Sequence, residues 1–212
     1  MVDTTRVHGQ IAAEQQEFVD LLCGLTDEQL ATPSLCAGWS VRDVAIHVAW
    51  HIHLPPSAYI KDVAQFGAFG GARFETKLLE RERARTAGEL LDWLAAPARV
   101  NENNLGELIV HQQDARRPLG AGRVIAADRL AWVLDYCLTR KGGGYFGVGG
   151  GSYKRTLGLR LVATDIGWSS GDGPEVHGPG EAILMAINGR DVRDELGGPG
   201  LERLVGAVEP TV

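Results

Sequence analysis

The stretch Glu107–Asp114, with the sequence ELIVHQQD, decides how this chain is interpreted. In an α-helix, residues four apart lie one above the other on the same face, and the seventh residue continues that stripe. Glu107, His111 and Asp114 therefore project in one direction from a largely apolar segment. A carboxylate and an imidazole in apolar surroundings are costly unless something satisfies them, and a divalent metal does so. The same spacing is also compatible with a Glu/His pair on the surface of an amphipathic helix.

A second segment, Thr32–Trp50, contributes another histidine. Ser40 and Asp43 resemble a capping box, with Asp in the position usually taken by Glu or Gln, so a helix should begin there. Apolar residues then recur at a spacing of three to four and describe its buried stripe: Val41, Val44, Ala45, Val48 and Ile52. His47 lies at the edge of this stripe. A histidine there is usually a core or boundary residue, but beside a helical Glu-x3-His pair it is a candidate third metal ligand.

Composition describes an ordinary globular protein, because the 212 residues are 44% hydrophobic and 23% charged. The net charge of −6 comes with no basic stripe, which argues against nucleic-acid binding. The three cysteines, Cys23, Cys36 and Cys137, match no zinc-finger spacing and fit reduced thiols. No signal-peptide core and no apolar run of membrane-spanning length occurs. We therefore expect a cytoplasmic protein with no nucleic-acid or membrane partner.

Helical periodicity dominates the first two thirds of the chain. Prolines or glycines follow several of these segments, as expected for helix ends. Helices are predicted over residues 11–25, 40–54, 86–98, 103–116 and 128–140. Such a set predicts a helical bundle spanning residues 1–141, in which inward-facing side chains of adjacent helices can build a metal site.

A glycine-dense segment, residues 142–152, marks a change in composition. A phosphate-binding loop is the alternative reading, but such loops follow a strand and open a helix, so a flexible linker is favoured. Residues 153–212 then mix strand and helix signals and predict a small α+β domain. Its predicted elements are a strand over 156–163, turns over 165–173, and helices over 179–188 and 201–208.

With these segments in order, the chain resembles the mycothiol-dependent maleylpyruvate isomerase family of actinobacterial proteins. Residues 32–47 are similar to its C-x-G-W-[ST]-V-x-D-x-x-x-H segment, and residues 107–120 to its second metal-binding segment. Residues 163–182, with Asn188-Gly189-Arg190, resemble its C-terminal domain. The resemblance covers nearly the whole chain. It implies a mainly α fold: a DinB-like four-helix bundle followed by a small α+β domain similar to sterol carrier proteins.

By that resemblance, His47, Glu107 and His111 match the family's zinc ligands. Two imidazoles and one carboxylate leave a fourth position open, which is the pattern of a catalytic zinc site. A thiol entering that position would be deprotonated. Arg190 matches the arginine that closes the family's C-terminal helix and is a candidate for holding a carboxylate, although a cation there also suits a helix C-terminus.

The implied function is that of an enzyme dependent on zinc or another divalent metal, with mycothiol as cosubstrate. It would activate the thiol for addition to an electrophilic small molecule, as an isomerase or an S-transferase. Two alternatives stay open: a non-catalytic metal- or ligand-binding member of the family, and a metal-dependent hydrolase. Neither the electrophile nor the oligomeric state follows from the sequence.

Other polar residues near these motifs are each compatible with more than one role. His51 is a possible ligand because it lies one helical turn after His47. Asp114 either accepts an imidazole N–H or is solvated near the helix end. Cys36 is expected to be a small buried residue. Arg116 and Arg117 attract an anionic substrate or simply suit a helix C-terminus.

Overall fold

The structure is a computed structural model that describes residues 4–67, 71–99, 101–140, 142 and 151–206. The chain divides into two compact units, residues 1–121 and residues 122–211. The first unit is helical and the second combines helices with a small sheet, so the predicted fold class, mainly α with a small α+β part, is confirmed. Most of the predicted glycine-dense linker, residues 143–150, lies outside the described residues.

Four helices of the first unit, α1, α3, α6 and α7, form a bundle in which α1 and α3 each pack against both α6 and α7. This arrangement agrees with the predicted four-helix bundle. Three further helices connect its members. The helices of this unit are α1 Thr4–Cys23, α2 Asp27–Leu30, α3 Val41–His53, α4 Pro56–Phe66, α5 Gly71–Glu82, α6 Ala87–Ala95 and α7 Glu102–Arg116.

The start of α3 is fixed by the predicted capping box. The Ser40 side chain accepts from the Asp43 backbone N–H, and the Asp43 side chain accepts from the Ser40 backbone N–H. The same carboxylate accepts two hydrogen bonds from Arg83, at 2.8 and 2.9 Å. Because the cap fixes the start of the helix, it also fixes which residues of α3 face inward.

Helix α7 lies at the centre of this unit, and every residue from Asn104 to Ala115 is buried. A helix enclosed on all sides must satisfy its polar side chains internally. The Gln112 amide accordingly donates to the backbone carbonyl of Glu14 and to its carboxylate, at 2.7 and 2.9 Å. Arg116 donates to the carbonyl of Glu17 at 2.9 Å, so it ties α7 to α1.

Helices α4 and α5 were not predicted, and an aromatic cluster holds them to α3. Trp50 of α3 packs with Phe74 and Leu78 of α5, and the Trp50 and Phe74 ring centroids are 5.2 Å apart. The Trp50 indole N–H donates to Asp62 of α4 at 3.0 Å. Arg81 of α5 donates to both oxygens of the same carboxylate, at 2.6 and 3.1 Å. Burial of the rings and this shared carboxylate fix α5 along α3.

The second unit contains a three-stranded sheet with strand order β2-β1-β3, where β1 is antiparallel to β2 and parallel to β3. Helix α10 packs against the sheet and against α8. A 3-10 turn, Arg193–Glu195, follows α10. The other elements are α8 Ala127–Cys137, α9 Ser152–Arg155, β1 Arg160–Ala163, β2 Trp168–Ser170, β3 Glu175–Gly178, α10 Gly180–Ile187 and α11 Leu201–Gly206.

The observed units divide the chain at a different point from the predicted domains. The sequence placed the helix near residues 128–140 in a bundle ending at 141, whereas the compact unit that contains it begins at Gly122. The physical reason is packing: α8 contacts α10. The Trp168 indole N–H of β2 also donates to Asp135 of α8 at 2.9 Å. The predicted strand over 156–163 is shorter than expected, since β1 begins only at Arg160.

Candidate metal centre

Three predicted ligands, one from α3 and two from α7, meet inside the first unit. His47 Nε2 lies 3.4 Å from Glu107 Oε2, and His111 Nε2 lies 3.1 Å from the same oxygen. All three side chains are buried. Their donor atoms lie within 4.8 Å of one another, so the three residues can hold one metal ion.

A second layer of carboxylates surrounds the two imidazoles. Asp114 Oδ2 lies 2.9 Å from His111 Nδ1, and Glu75 Oε2 lies 3.0 Å from His47 Nδ1. Each imidazole therefore has one nitrogen facing Glu107 and the other facing a different carboxylate. Asp114 takes the position of an imidazole N–H acceptor, which was one of its two predicted roles.

Proton placement in this group tests whether a metal fits. A neutral imidazole has a single N–H, but both nitrogens of His47 and of His111 face a carboxylate oxygen, so one nitrogen of each ring has no proton to donate. With the N–H on Nδ1 of each ring, both Nε2 lone pairs face the Glu107 carboxylate, which is also an acceptor. That contact is repulsive unless each ring takes a second proton or a cation lies among the three groups. The donor set therefore fits a divalent metal.

The spacing of the ligand atoms agrees with this conclusion. Zinc bonds of about 2.0–2.1 Å in tetrahedral geometry separate neighbouring ligand atoms by about 3.3 Å. The two nitrogen–oxygen distances, 3.4 and 3.1 Å, lie on either side of that value.

The pKa shifts describe the same group with protons in place of a metal. Burial alone would lower the pKa of His111, but hydrogen bonds with Asp114, Cys36 and Glu107 raise it well above its usual value. Burial would also lower the pKa of His47, but the charge of Glu75 and hydrogen bonds to two carboxylates raise it. Burial would raise the pKa of Glu107, but hydrogen bonds from the two imidazoles hold it well below its usual value. Without metal, these shifts favour protons on the two rings, whose positive charges offset part of the charge of the surrounding carboxylates.

His51 and Cys36 lie beside this centre rather than within the three-ligand group. The His51 and His47 ring centroids are 4.3 Å apart, and His51 Nε2 lies 3.9 Å from Glu75 Oε1. The Cys36 thiol donates to Asp114 Oδ2 at 3.1 Å, and its sulfur lies 3.7 Å from His111 Nδ1. Cys36 is half-buried. Cys36 is therefore hydrogen-bonded to the carboxylate that contacts His111, in addition to being the small residue that was predicted.

Arg190 belongs to the second unit, three residues beyond the end of α10. Its guanidinium donates to the Asn188 carbonyl, and its backbone N–H donates to the Met185 carbonyl at 3.0 Å. Arg155 donates to the neighbouring Ile187 carbonyl at 3.0 Å. Burial and the Arg190 charge both lower the pKa of Arg155, which places two guanidinium groups near each other at this helix end.

Sequence reasoning missed Glu75, which lies on the unpredicted helix α5. The available signal was the spacing of Phe74, Leu78 and Leu79, all buried, which gives the segment an apolar helical stripe. Glu75 follows Phe74 directly, but spacing alone does not show that this glutamate reaches a histidine on another helix.

Comparison with known proteins gives the same fold. A family model described as the mycothiol maleylpyruvate isomerase N-terminal domain matches residues 11–133, more than half of the chain. Two crystal structures are similar, one of the mycothiol-dependent maleylpyruvate isomerase and one of its histidine-to-alanine mutant. Each is 12% identical, covers 99% of this chain and 96% of its own, and superposes with a TM-score of 0.55. No curated protein matches the chain. Since the family model accounts for most of the chain, the protein belongs to the mycothiol maleylpyruvate isomerase family.

Proposed function

We propose that this protein is a metal-dependent enzyme that activates a low-molecular-weight thiol, mycothiol, for addition to an electrophilic small molecule. The observation that carries the proposal is the convergence of His47 Nε2, His111 Nε2 and Glu107 Oε2 while both Nδ1 atoms face other carboxylates. Family membership supports the use of mycothiol and an isomerase-type reaction.

His47, Glu107 and His111 would hold the metal, with zinc as the expected ion. Asp114 keeps the His111 ring oriented by accepting its Nδ1–H, so that Nε2 stays directed toward Glu107. When bound, a divalent metal supplies Lewis acidity, which lowers the pKa of a thiol that coordinates it. Three protein ligands leave a position for that thiol.

The reaction that follows is an addition. The thiolate sulfur forms a bond to an electrophilic carbon of a substrate double bond, and the electron pair of that double bond moves onto the electron-withdrawing group of the substrate that is conjugated with it. Rotation about the resulting single bond and cleavage of the sulfur–carbon bond return the thiol and give an isomer. Retention of the sulfur–carbon bond with uptake of a proton gives a conjugate instead. The chemistry of the site allows both outcomes.

Arg190 is proposed to hold a carboxylate of the substrate or of the thiol. A guanidinium suits this role because its fork of N–H donors matches a carboxylate. The nearby Arg155 increases the positive charge around Arg190. Arg190→Ala should reduce thiol-dependent turnover and leave metal content unchanged, whereas the exposed Arg193, which pairs with Asp191 at 3.0 Å, is a control position for the same substitution.

A cytoplasmic location belongs to the same proposal, because the cysteine content fits a reducing compartment. Among the helices that the structure describes, none is both long and apolar enough to cross a bilayer.

The experiment combines metal analysis with turnover. The purified protein should contain about one divalent metal per chain, and it should consume an electrophile only when mycothiol is present. His111→Ala should lose most of the metal and the turnover, while His8→Ala, which removes an exposed histidine of α1, should lose neither. Full metal content in His111→Ala would contradict the ligand assignment. Metal uptake without turnover on any electrophile would favour a non-catalytic binding protein.

A further inference from the structure

We infer that Glu75 is a positioning residue of the metal centre: it holds the His47 ring so that Nε2 faces Glu107. The inference rests on the proposed function, because it concerns the same three ligands. It adds a residue from a helix that supplies no ligand and joins α5 to the site formed by α3 and α7.

The first step is the contact itself. Glu75 Oε2 lies 3.0 Å from His47 Nδ1, which is the normal length of an N–H···O hydrogen bond. When Nδ1 donates to this oxygen, Nε2 is left as the ligand atom and the plane of the ring is fixed. Asp114 makes the equivalent contact with His111 at 2.9 Å. The two imidazoles are therefore oriented by two carboxylates, one from α7 itself and one from α5.

The second step is the rigidity of the helix that carries Glu75. Its neighbour Phe74 is buried against Trp50, which lies three residues after His47 on α3. Arg81, further along α5, is bound to Asp62 through two hydrogen bonds, and Asp62 also accepts from Trp50. These contacts hold α5 in register with α3, so the backbone position from which the Glu75 side chain reaches His47 is fixed by packing.

The third step separates positioning from direct ligation. Glu75 also approaches His51, and His47, His51 and Glu75 form a second group whose donor atoms are close enough to hold a metal. That group would use His47 Nδ1, which faces away from Glu107. It is the more open of the two groups, since the His51 and Glu75 side chains are 29% and 21% exposed whereas Glu107 and His111 are buried. The burial of Glu107 and His111 favours the group of His47, Glu107 and His111 as the metal centre, with Glu75 hydrogen-bonded to His47 rather than bound to the metal.

The test measures metal affinity by chelator competition in the full chain, together with the visible absorption spectrum of the cobalt-substituted protein. Glu75→Gln keeps the shape of the side chain but removes the charged acceptor. It should weaken metal binding about 10- to 100-fold and change the cobalt spectrum, as expected when the carboxylate partner of a ligating histidine is lost. Asp114→Asn should act in the same direction. Glu80→Gln, at an exposed position of the same helix, is the control and should change neither quantity.

Thermal unfolding of the metal-free proteins shows whether each variant is folded. If Glu75→Gln is unfolded, Glu75→Asp, which retains the charge on a shorter side chain, takes its place and should give an intermediate affinity. Folded Glu75 variants with wild-type affinity and an unchanged spectrum would overturn the inference. The inference would also be overturned if His51→Ala weakened metal binding as much as His111→Ala does, because Glu75 would then be a metal ligand in the group of His47, His51 and Glu75. A wild-type protein that takes up no metal would instead overturn the proposed function, and the two failures are distinguishable.

Discussion

Metal uptake by this protein should release about two protons per metal ion at a pH below the raised pKa values of His47 and His111. Without metal, the pKa values of His47 and His111 are raised, so each ring carries a second proton in the pH range below those raised values. Coordination requires both Nε2 atoms to be deprotonated. Glu107 contributes no proton, since its pKa is held well below the usual value.

The size of the pH dependence follows from the linkage between proton release and metal affinity. Where both rings are protonated in the metal-free protein, each pH unit should change the apparent affinity about 100-fold, or roughly 3 kcal/mol. The affinity falls as the pH falls, and it levels off only above the raised pKa values. A single unperturbed histidine ligand would give a tenfold change per unit, beginning below its ordinary pKa of about 6.5.

The assay is calorimetric titration with metal at fixed pH in buffers of different ionisation enthalpy, which yields the number of protons released. Asp114→Asn removes the acceptor that favours the protonated His111 ring, so the release should fall toward one. His8→Ala should leave it unchanged. A release well below one proton in the wild type, or an affinity that does not change between about pH 6 and 7, would refute the assignment of these two rings as ligands.

Metal-free protein should also become less stable as the pH rises from about 6.5, the ordinary histidine pKa, through the raised pKa values of His47 and His111. The reason is that the second protons of the two rings, which stabilise the folded state, are then lost. Unfolding of chelator-treated protein at several pH values measures this. Asp43→Asn should cost about 1–2 kcal/mol at pH 7, since it weakens a helix cap and an ion pair whose partner is half exposed. Hydrogen bonds from Arg83 and Ser40 lower the pKa of Asp43 although its burial would raise it. The destabilisation caused by Asp43→Asn should therefore become smaller as the pH falls below about 3.9, the ordinary Asp pKa, and urea unfolding in acid measures this. Gly171→Ala should destabilise the protein by about 2 kcal/mol or more, because the residue has φ +79° and an added Cβ would lie 2.2 Å from a backbone oxygen. Gly167 has φ +64° but open space around an added Cβ, so Gly167→Ala should cost less in the same unfolding assay.

The four bundle helices could be predicted because each carries its own local signals. Ser40 and Asp43 form the cap that their spacing indicated, and α3 begins one residue after Ser40. Period and capping act within a few residues, so they are visible in one sequence. The same locality explains why Glu107 and His111, one helical turn apart, were found together.

Helices α4 and α5 were missed for a physical reason that the sequence partly contains. Pro55-Pro56 directly follows the helix predicted over 40–54, as expected for a helix end, and α3 does end before it. However, a proline at the first position of a helix is favourable, and Pro56 begins α4. The helices then depend on an aromatic cluster contributed by three elements, and such packing is tertiary information.

Glu75 and the boundary between the two units illustrate the limit of local patterns. The position of Glu75 next to His47 depends on Trp50, Asp62 and Arg81, which are brought together only when α3, α4 and α5 pack. Helix α8 similarly has a clear periodicity, but its assignment to the second unit follows from its contact with α10. Local periodicity identifies which side chains of one helix share a face, whereas the element that packs against that face is determined by the tertiary structure. In this protein the pairing of the proposed ligands Glu107 and His111 follows from local spacing on α7, whereas the proximity of His47 and Glu75 to them follows from tertiary packing.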